Sequence, residues 1–78
     1  ETVLTNLSVY PNPTQSEVNI TYEKWLESIE VIDINGRNML SLDGLSLANE
    51  RSINVDALST GTYFIRINNK IYKRFVKE

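Results

Sequence analysis

The chain has 78 residues, a formal net charge of −2 and neither cysteine nor histidine. This length predicts one domain with a small core, and a content of 41% hydrophobic and 23% charged residues is typical of a folded globular chain. Without cysteine and histidine the chain lacks disulfides, the common zinc ligands and the usual near-neutral acid and base, so we expect no enzyme, no metal and no cofactor.

Short runs of alternating apolar and polar residues, separated by turn residues about every ten positions, predict an all-β chain. The first run, in LSVYPNP, stops at Pro11 and Pro13, which have no N–H for a strand ladder and therefore end a strand or lie at an edge. The next run, EVNITY, places Val18, Ile20 and Tyr22 on one face. This pattern is typical of a half-buried strand.

The segment that follows has a different period. Tyr22, Trp25, Leu26 and Ile29 are spaced at i, i+3, i+4 and i+7, which is helical spacing. The window is short and both flanks predict strands, so we interpret it as a strand end, a loop and a strand start, with a short helix as the alternative. Trp25 or Leu26 is then expected to pack over the end of the fold. For the single tryptophan a place in the core is favoured over a role as a ligand-stacking platform.

A hairpin is predicted in the segment SIEVIDINGRNMLSL. Its two strands are joined at Asn35-Gly36, a dipeptide that tolerates positive φ at both positions and suits a two-residue type I′ turn. Gly44 then interrupts the alternation, and the segment SINV predicts a further strand.

The segment LSTGTYFIRI has the pattern of a tyrosine corner, in which the tyrosine hydroxyl bonds to backbone upstream. Leu58 and Gly61 precede Tyr63, which opens a strand that turns at Asn68-Asn69 and returns to the C-terminus. The total of about seven short strands predicts a small immunoglobulin-like antiparallel β-sandwich. The residues expected to be buried between its sheets are Val18, Ile20, Val31, Ile53, Val55, Ile65 and Ile67.

The charge is unevenly distributed along the chain. Three basic and nine acidic residues precede Arg66, whereas five basic residues and only Glu78 follow from that position onward. Composition alone favours edge protection, in which lysines on an exposed edge strand block unwanted strand pairing. The functional alternative is a docking strand that a partner recognises by its charges and by strand addition. The overall negative charge disfavours nucleic acid, and the apolar runs are too short to span a bilayer as a helix.

Four pieces of the sequence, in this order and spacing, resemble the type A C-terminal sorting domain of the type IX (Por) secretion system of Bacteroidetes. They are a Tyr-Pro-Asn-Pro opening, an Asp-x-x-Gly hairpin, a Leu-x-x-Gly-x-Tyr segment and a basic terminal strand. The residues that carry the first three are Tyr10, Pro11, Asn12 and Pro13, then Asn35 and Gly36, then Leu58, Gly61 and Tyr63.

The resemblance implies an immunoglobulin-like domain that acts as an address for an attached passenger protein. The passenger would enter the periplasm by an N-terminal signal, cross the outer membrane through the translocon and reach the cell surface or the medium. A sortase-like peptidase would then remove the domain and attach the passenger to surface lipopolysaccharide, with all catalytic residues in that peptidase. The residues expected to be recognised by the translocon are Lys70, Lys73, Arg74, Phe75, Val76 and Lys77.

The resemblance also suggests how the chain is divided. Residues 1–6 are expected to be a linker remnant from the passenger, and residues 7–78 the sorting domain. Two alternatives stay open. A glycan-binding or spacer β-sandwich of an extracellular enzyme would group exposed aromatic residues on one sheet, and an adhesive module that polymerises by donor-strand exchange would lack one strand of its sandwich.

Overall fold

A computed structural model describes residues 7–43 and 49–78, which form seven β-strands and no helix. They build two antiparallel sheets in the orders β1-β2-β5 and β4-β3-β6-β7, so the predicted small immunoglobulin-like sandwich is confirmed. The linker predicted for residues 1–6 and the interruption predicted at Gly44 lie outside the described residues. The strands are β1 (Ser8–Tyr10), β2 (Glu17–Thr21), β3 (Ser28–Asp33), β4 (Asn38–Asp43), β5 (Glu50–Asn54), β6 (Gly61–Ile67) and β7 (Ile71–Lys77).

The core lies between the two sheets because alternate residues of each strand point to the same face. All seven residues predicted to be buried there are buried, and five of them are fully inaccessible to solvent. The core is completed by side chains from outside those seven, among them Leu26 from the segment between β2 and β3 and Phe75 from β7. The full set is Leu7, Val9, Val18, Ile20, Leu26, Ile29, Val31, Ile53, Val55, Leu58, Tyr63, Ile65, Ile67 and Phe75.

The segment between β2 and β3 is a loop, and the place predicted for its tryptophan is wrong. Leu26 is fully buried, whereas Trp25 is 53% exposed. The side chain of Asn68 holds this arrangement by accepting hydrogen bonds from the N–H groups of Glu27 (2.7 Å) and Ser28 (3.2 Å) and by donating one to the carbonyl of Trp25 (3.0 Å). Because the backbone is held on both sides of Leu26, the leucine fills the end of the core and its neighbour points to solvent.

The β3–β4 hairpin is present, but the predicted type I′ turn is wrong. The Gly36 N–H donates to the Asp33 carbonyl (3.0 Å) and the Asp33 N–H donates to the Arg37 carbonyl (2.9 Å), which closes a three-residue loop. Only Gly36 in this loop has a positive φ, at 85°. This is the type I turn followed by a glycine bulge. It is favoured here because the Asp33 carboxylate accepts from the N–H groups of Asn35 (2.9 Å) and Arg37 (2.8 Å).

The β6–β7 hairpin turns where the sequence predicts. Asn68 and Asn69 both have positive φ, 51° and 57°, and the Lys70 N–H donates to the Ile67 carbonyl (3.0 Å). Asparagine is among the few residues that adopt this left-handed conformation readily. The two consecutive positive φ values that the sequence suggested for the first hairpin are therefore found in the second.

The tyrosine corner is confirmed. The hydroxyl of Tyr63 donates a hydrogen bond to the carbonyl of Ser59 (2.7 Å), and its buried ring stacks on Phe75 with the ring centroids 5.7 Å apart. Gly61 has a φ of 156°, a conformation that residues with a side chain rarely adopt. The corner thus fixes the start of β6, and through Phe75 it fixes the strand that ends the chain.

Candidate functional site

Strand β7 forms one edge of the four-stranded sheet, where it pairs with β6 from Gly61↔Lys77 to Ile67↔Ile71. The pairing of Tyr63 with Phe75 shows that its odd-numbered residues face the other sheet and its even-numbered residues lie on the outer face. One side of its backbone is bonded to β6. The other side is the edge at which a further strand could pair.

The six residues predicted for recognition do not form one surface. Three are exposed, one is half-buried and two are buried, in the order Lys70, Lys73 and Arg74, then Val76, then Phe75 and Lys77. The aromatic ring of Phe75 lies in the core, where it stacks on Tyr63 of the tyrosine corner. Lys77 is only 7% exposed, and its ammonium donates to the backbone carbonyl of Glu78 (3.3 Å). In the folded domain, therefore, the three exposed cations are the most accessible members of the set.

Part of the β7 edge is already covered by the Tyr-Pro-Asn-Pro segment. The side-chain amide of Asn12 accepts from the Val76 N–H (2.9 Å) and donates to the Arg74 carbonyl (3.3 Å), so it pairs with β7 as a backbone peptide of a neighbouring strand would. The Thr14 N–H donates to the Val76 carbonyl (2.9 Å), and the Thr14 carbonyl accepts from the Glu78 N–H (2.7 Å). We call residues 12–14 the edge cover.

The edge cover follows from where the two prolines stand. Strand β1 ends at Tyr10, and both following X–Pro peptide bonds, at Pro11 and Pro13, are cis. The chain leaves the three-stranded sheet here, crosses to β7 and returns to β2. Neither proline can donate to a ladder, so the side chain of Asn12 supplies the donor between them, and the buried Thr14 forms a parallel bridge with Lys77. The strand end at the prolines was predictable, but nothing in the sequence indicated this contact 62–64 residues away.

The remainder of the β7 edge is open. Because alternate residues of an edge strand present their backbone groups to the same side, the N–H and carbonyl of Tyr72 and the N–H of Arg74 face the uncovered part. No described residue outside β7 donates to or accepts from these groups. Beside them Lys73 and Arg74 are exposed, and neither forms an ion pair with another described residue. The open edge is thus short and flanked by two unneutralised cations.

Arg66, on the outer face of β6, is already occupied. Arg66 donates through Nε to Oε1 of Glu30 (2.6 Å), forms an ion pair with the same carboxylate, and donates through Nη1 to the Tyr72 hydroxyl (3.3 Å). Its guanidinium carbon lies 5.9 Å from the centroid of the Tyr72 ring. The hydrogen bond to Tyr72 and then that to Glu30 raise the pKa of Arg66 above its usual value. These contacts fix the orientation of the Tyr72 ring on the outer face.

Apolar side chains lie next to this ring, on a face for which the alternating pattern predicts polar residues. Ile32 and Phe64 are half-buried there, while Ile34 is 70% exposed and Tyr72 is 55% exposed. Together with Asp33 and Gly36 they line a shallow depression of about 340 Å³. This surface was not predicted from the sequence. It could have been inferred from the apolar residues at positions 31, 32 and 34, which break the alternation expected of a half-buried strand.

The exposed aromatic residues bear on the glycan-binding alternative, which expects them grouped on one sheet. Tyr10 lies on β1, Trp25 on the loop between β2 and β3, and Tyr72 on β7. Trp25 and the half-buried Tyr22 line a depression of about 560 Å³, and the other residues that line it are polar or charged. The three residues therefore do not form one platform. Among the described residues no group of His, Cys, Asp and Glu has a geometry that could hold a metal ion.

Comparison with known proteins places these features in one family. Residues 8–78 match the family model described as a secretion system C-terminal sorting domain. The match takes in all seven strands and the edge cover. Comparisons with curated proteins and with solved structures gave no significant match. In the described part of the chain no helix has the length and apolar character needed to cross a membrane.

Proposed function

Because the chain belongs to the family of secretion system C-terminal sorting domains, we propose that the open edge of β7 is the part of the address that the outer-membrane translocon reads. The domain is a sorting signal of the type IX system, a class that is not catalytic, and it implies a passenger fused on its N-terminal side and export of that passenger to the cell surface or the medium. The proposal assigns the contact to Lys70, Lys73 and Arg74.

The observation that carries this assignment is the coincidence of free charge and free backbone on one short stretch. Lys73 and Arg74 are exposed and unpaired among the described residues, and they flank the uncovered backbone groups of Tyr72. Charge of one sign on an otherwise acidic chain orients the approach of a partner over a Debye length of about 8–10 Å. Unpaired strand groups then allow the partner to add a strand, which gives the contact its register.

The other residues predicted for recognition have a supporting role in this proposal. Phe75 holds β7 in the core by its stack on Tyr63, and Val76 is bonded through both backbone groups to the edge cover. Lys77 is buried beside the edge cover and pairs with Gly61. These three residues would present the exposed cations in a fixed position without touching the translocon themselves.

The steps before and after recognition are proposed from the family alone. The passenger would reach the periplasm first and then meet the translocon, and residues 1–6 would link it to the sorting domain at residues 7–78. A sortase-like peptidase would cleave on the N-terminal side of β1 and attach the passenger to surface lipopolysaccharide. All seven described strands and the edge cover lie on the C-terminal side of such a cut.

The test is surface delivery of a periplasmic reporter fused to this domain in a type IX-competent cell. The variant Lys73→Gln/Arg74→Gln removes two charges while it keeps long polar side chains on exposed positions, so the free energy of unfolding should change by less than about 1 kcal/mol. The matched control Lys24→Gln/Arg51→Gln removes the same charge from exposed positions elsewhere. We expect the first variant to accumulate in the periplasm and the control to reach the surface.

Two results would count against the assignment. A folded, monomeric Lys73→Gln/Arg74→Gln variant that reaches the surface at the wild-type level would remove the open edge from the recognition site. A variant that self-associates while its monomers are still exported would show that these cations serve edge protection. The melting temperature and the oligomeric state are therefore measured for every variant beside export.

A further inference from the structure

The outer face of the four-stranded sheet carries an apolar surface that no assigned function uses. We call Ile32, Ile34, Phe64 and Tyr72 the outer-face patch. They belong to the end of β3, the turn after it, β6 and β7, so three strands and one turn contribute to a single depression. Among the described residues nothing covers it, because Ile34 and Tyr72 retain more than half of their accessible surface.

The sheet register brings the patch together. Ile32 pairs with Phe64 across β3 and β6, and Phe64 pairs with Arg74 across β6 and β7. Tyr72 stands two residues before Arg74 on the same face, at the diagonal position from Phe64, which is within reach of an aromatic side chain. Ile34 extends the row beyond the end of β3. The patch is therefore a continuous feature of the folded sheet and not a set of scattered residues.

Its exposure brings the fold no evident benefit. The strongly apolar residues of the other alternating strands are mostly buried between the sheets, where the removal of apolar surface from water stabilises the fold. Ile34 in a turn and Tyr72 on the outer face bury little apolar surface and therefore add little to the stability of the fold. Contiguous exposed apolar residues with a polar border are typical of protein interaction sites, whereas single exposed ones are ordinary.

The charges around the patch indicate the chemistry of its partner. Arg66 is neutralised by Glu30, and Arg37 by Asp33, so these borders carry no net charge. Arg74 remains, exposed and directly beside Phe64 in the register. An apolar surface with an unneutralised cation at its rim is complementary to apolar side chains bordered by a carboxylate.

We propose that the outer-face patch docks a protein of the export machinery through an apolar surface bordered by carboxylates, and that it forms one interface with the open edge of β7. Tyr72 belongs to both, because its backbone lies on the open edge and its ring lies in the patch. The inference rests on the proposed function and adds to it the apolar half of the contact. Strand addition gives such an interface its register, and the patch gives it most of its affinity.

The experiment uses the same fusion to a periplasmic reporter. The variant Ile34→Ser/Tyr72→Ser removes the two most exposed patch side chains, and the matched control Tyr10→Ser/Trp25→Ser removes two exposed aromatic residues outside it. Because a few anchor residues carry most of the binding energy of an interface, surface delivery of the patch variant should fall at least about tenfold. The control should be delivered like the wild type.

Two further variants separate the patch from its surroundings. Tyr72→Phe keeps the ring and removes only the hydroxyl that accepts from Arg66, so its delivery should fall by less than that of Ile34→Ser/Tyr72→Ser. Ile34→Ser alone changes a side chain that is 70% exposed. Its surface delivery should also fall, and it tests the patch even where the double variant fails to fold. Melting temperature and sedimentation are measured for each variant.

The outcomes are distinct. Normal delivery of a folded patch variant, together with loss of delivery for Lys73→Gln/Arg74→Gln, would overturn this inference and leave the proposed function in place. A wild-type fusion that stays in the periplasm would overturn both. An equal loss in the control variant would show a general effect of lost aromatic surface and overturn the patch. A wild-type dimer that the patch variants convert to monomers would identify the patch as a contact between copies of this chain and overturn the partner proposed here.

Discussion

Replacement of Asn12 by alanine should weaken the attachment of β7 to the rest of the domain. The alanine variant loses both hydrogen bonds of the side-chain amide, the one from the Val76 N–H (2.9 Å) and the one to the Arg74 carbonyl (3.3 Å). Each such bond contributes about 0.5–1.5 kcal/mol net, and the exposed position allows water to replace part of it. We therefore expect a loss of about 1–2 kcal/mol in the free energy of unfolding. In a domain of this size each kcal/mol lowers the melting temperature by about 4–8 °C.

A second variant tests the direction of the bonds. Asn12→Asp keeps an oxygen that accepts from the Val76 N–H, but it replaces the amide donor by an oxygen that faces the Arg74 carbonyl. It should therefore be destabilised although it still forms the shorter bond. Gln15→Ala is the control, because this exposed neighbour forms no hydrogen bond with another described residue, and its effect should stay within about 0.5 kcal/mol.

The assay combines thermal unfolding followed by circular dichroism with amide hydrogen exchange. In the wild type the Val76 amide is protected by Asn12 and the Glu78 amide by Thr14. Asn12→Ala should accelerate exchange at the first of these amides more than at core amides of β6. The uncovered edge should also raise self-association. An unchanged melting temperature together with unchanged exchange at Val76 would refute the role given to the edge cover.

Three further changes test other parts of the fold. Tyr63→Phe removes the hydrogen bond to the carbonyl four residues upstream and should lower the free energy of unfolding by about 1 kcal/mol, whereas Tyr72→Phe, on an exposed ring, should have almost no effect; equal melting of both variants would contradict the corner. Gly61→Val should lose more, about 1–3 kcal/mol, because valine strains a backbone with a φ of 156°, and denaturant unfolding measures it. The backbone N–H of Arg37 is the main cause that lowers the pKa of Asp33 below its usual 3.8, so the stability it provides is present above that value and is lost as the pH falls through the lower folded pKa. Asp33→Asn should therefore flatten the acid dependence of unfolding in that window, and an unchanged dependence would show that other carboxylates cause it.

The sequence was sufficient for the parts of this fold that depend on local pattern. Alternation predicted the strands and the buried set, because a strand with one buried face must place apolar residues at every second position, as Val18 and Ile20 do. The tyrosine corner was predictable for a similar reason, since Gly61 and Tyr63 act on a carbonyl only four residues away from the tyrosine. The two prolines likewise predicted the end of β1, because the missing N–H is a property of the residue itself.

The tertiary structure decided the features that depend on contacts between residues distant in sequence, or on side chains that compete for the same backbone groups. The Asp33 carboxylate accepts the N–H groups of the first turn and selects a type I turn with a glycine bulge, although Asn35-Gly36 alone favours type I′. Trp25 points to solvent because Asn68, on the far hairpin, fixes the loop with its neighbour inward. The Asn12 amide and Thr14 cover the C-terminal part of the β7 edge, and they do so only because the sandwich brings a crossing between two sheets against the last strand. Local propensities therefore determined the strands, and long-range hydrogen bonds determined which part of β7 a partner can reach.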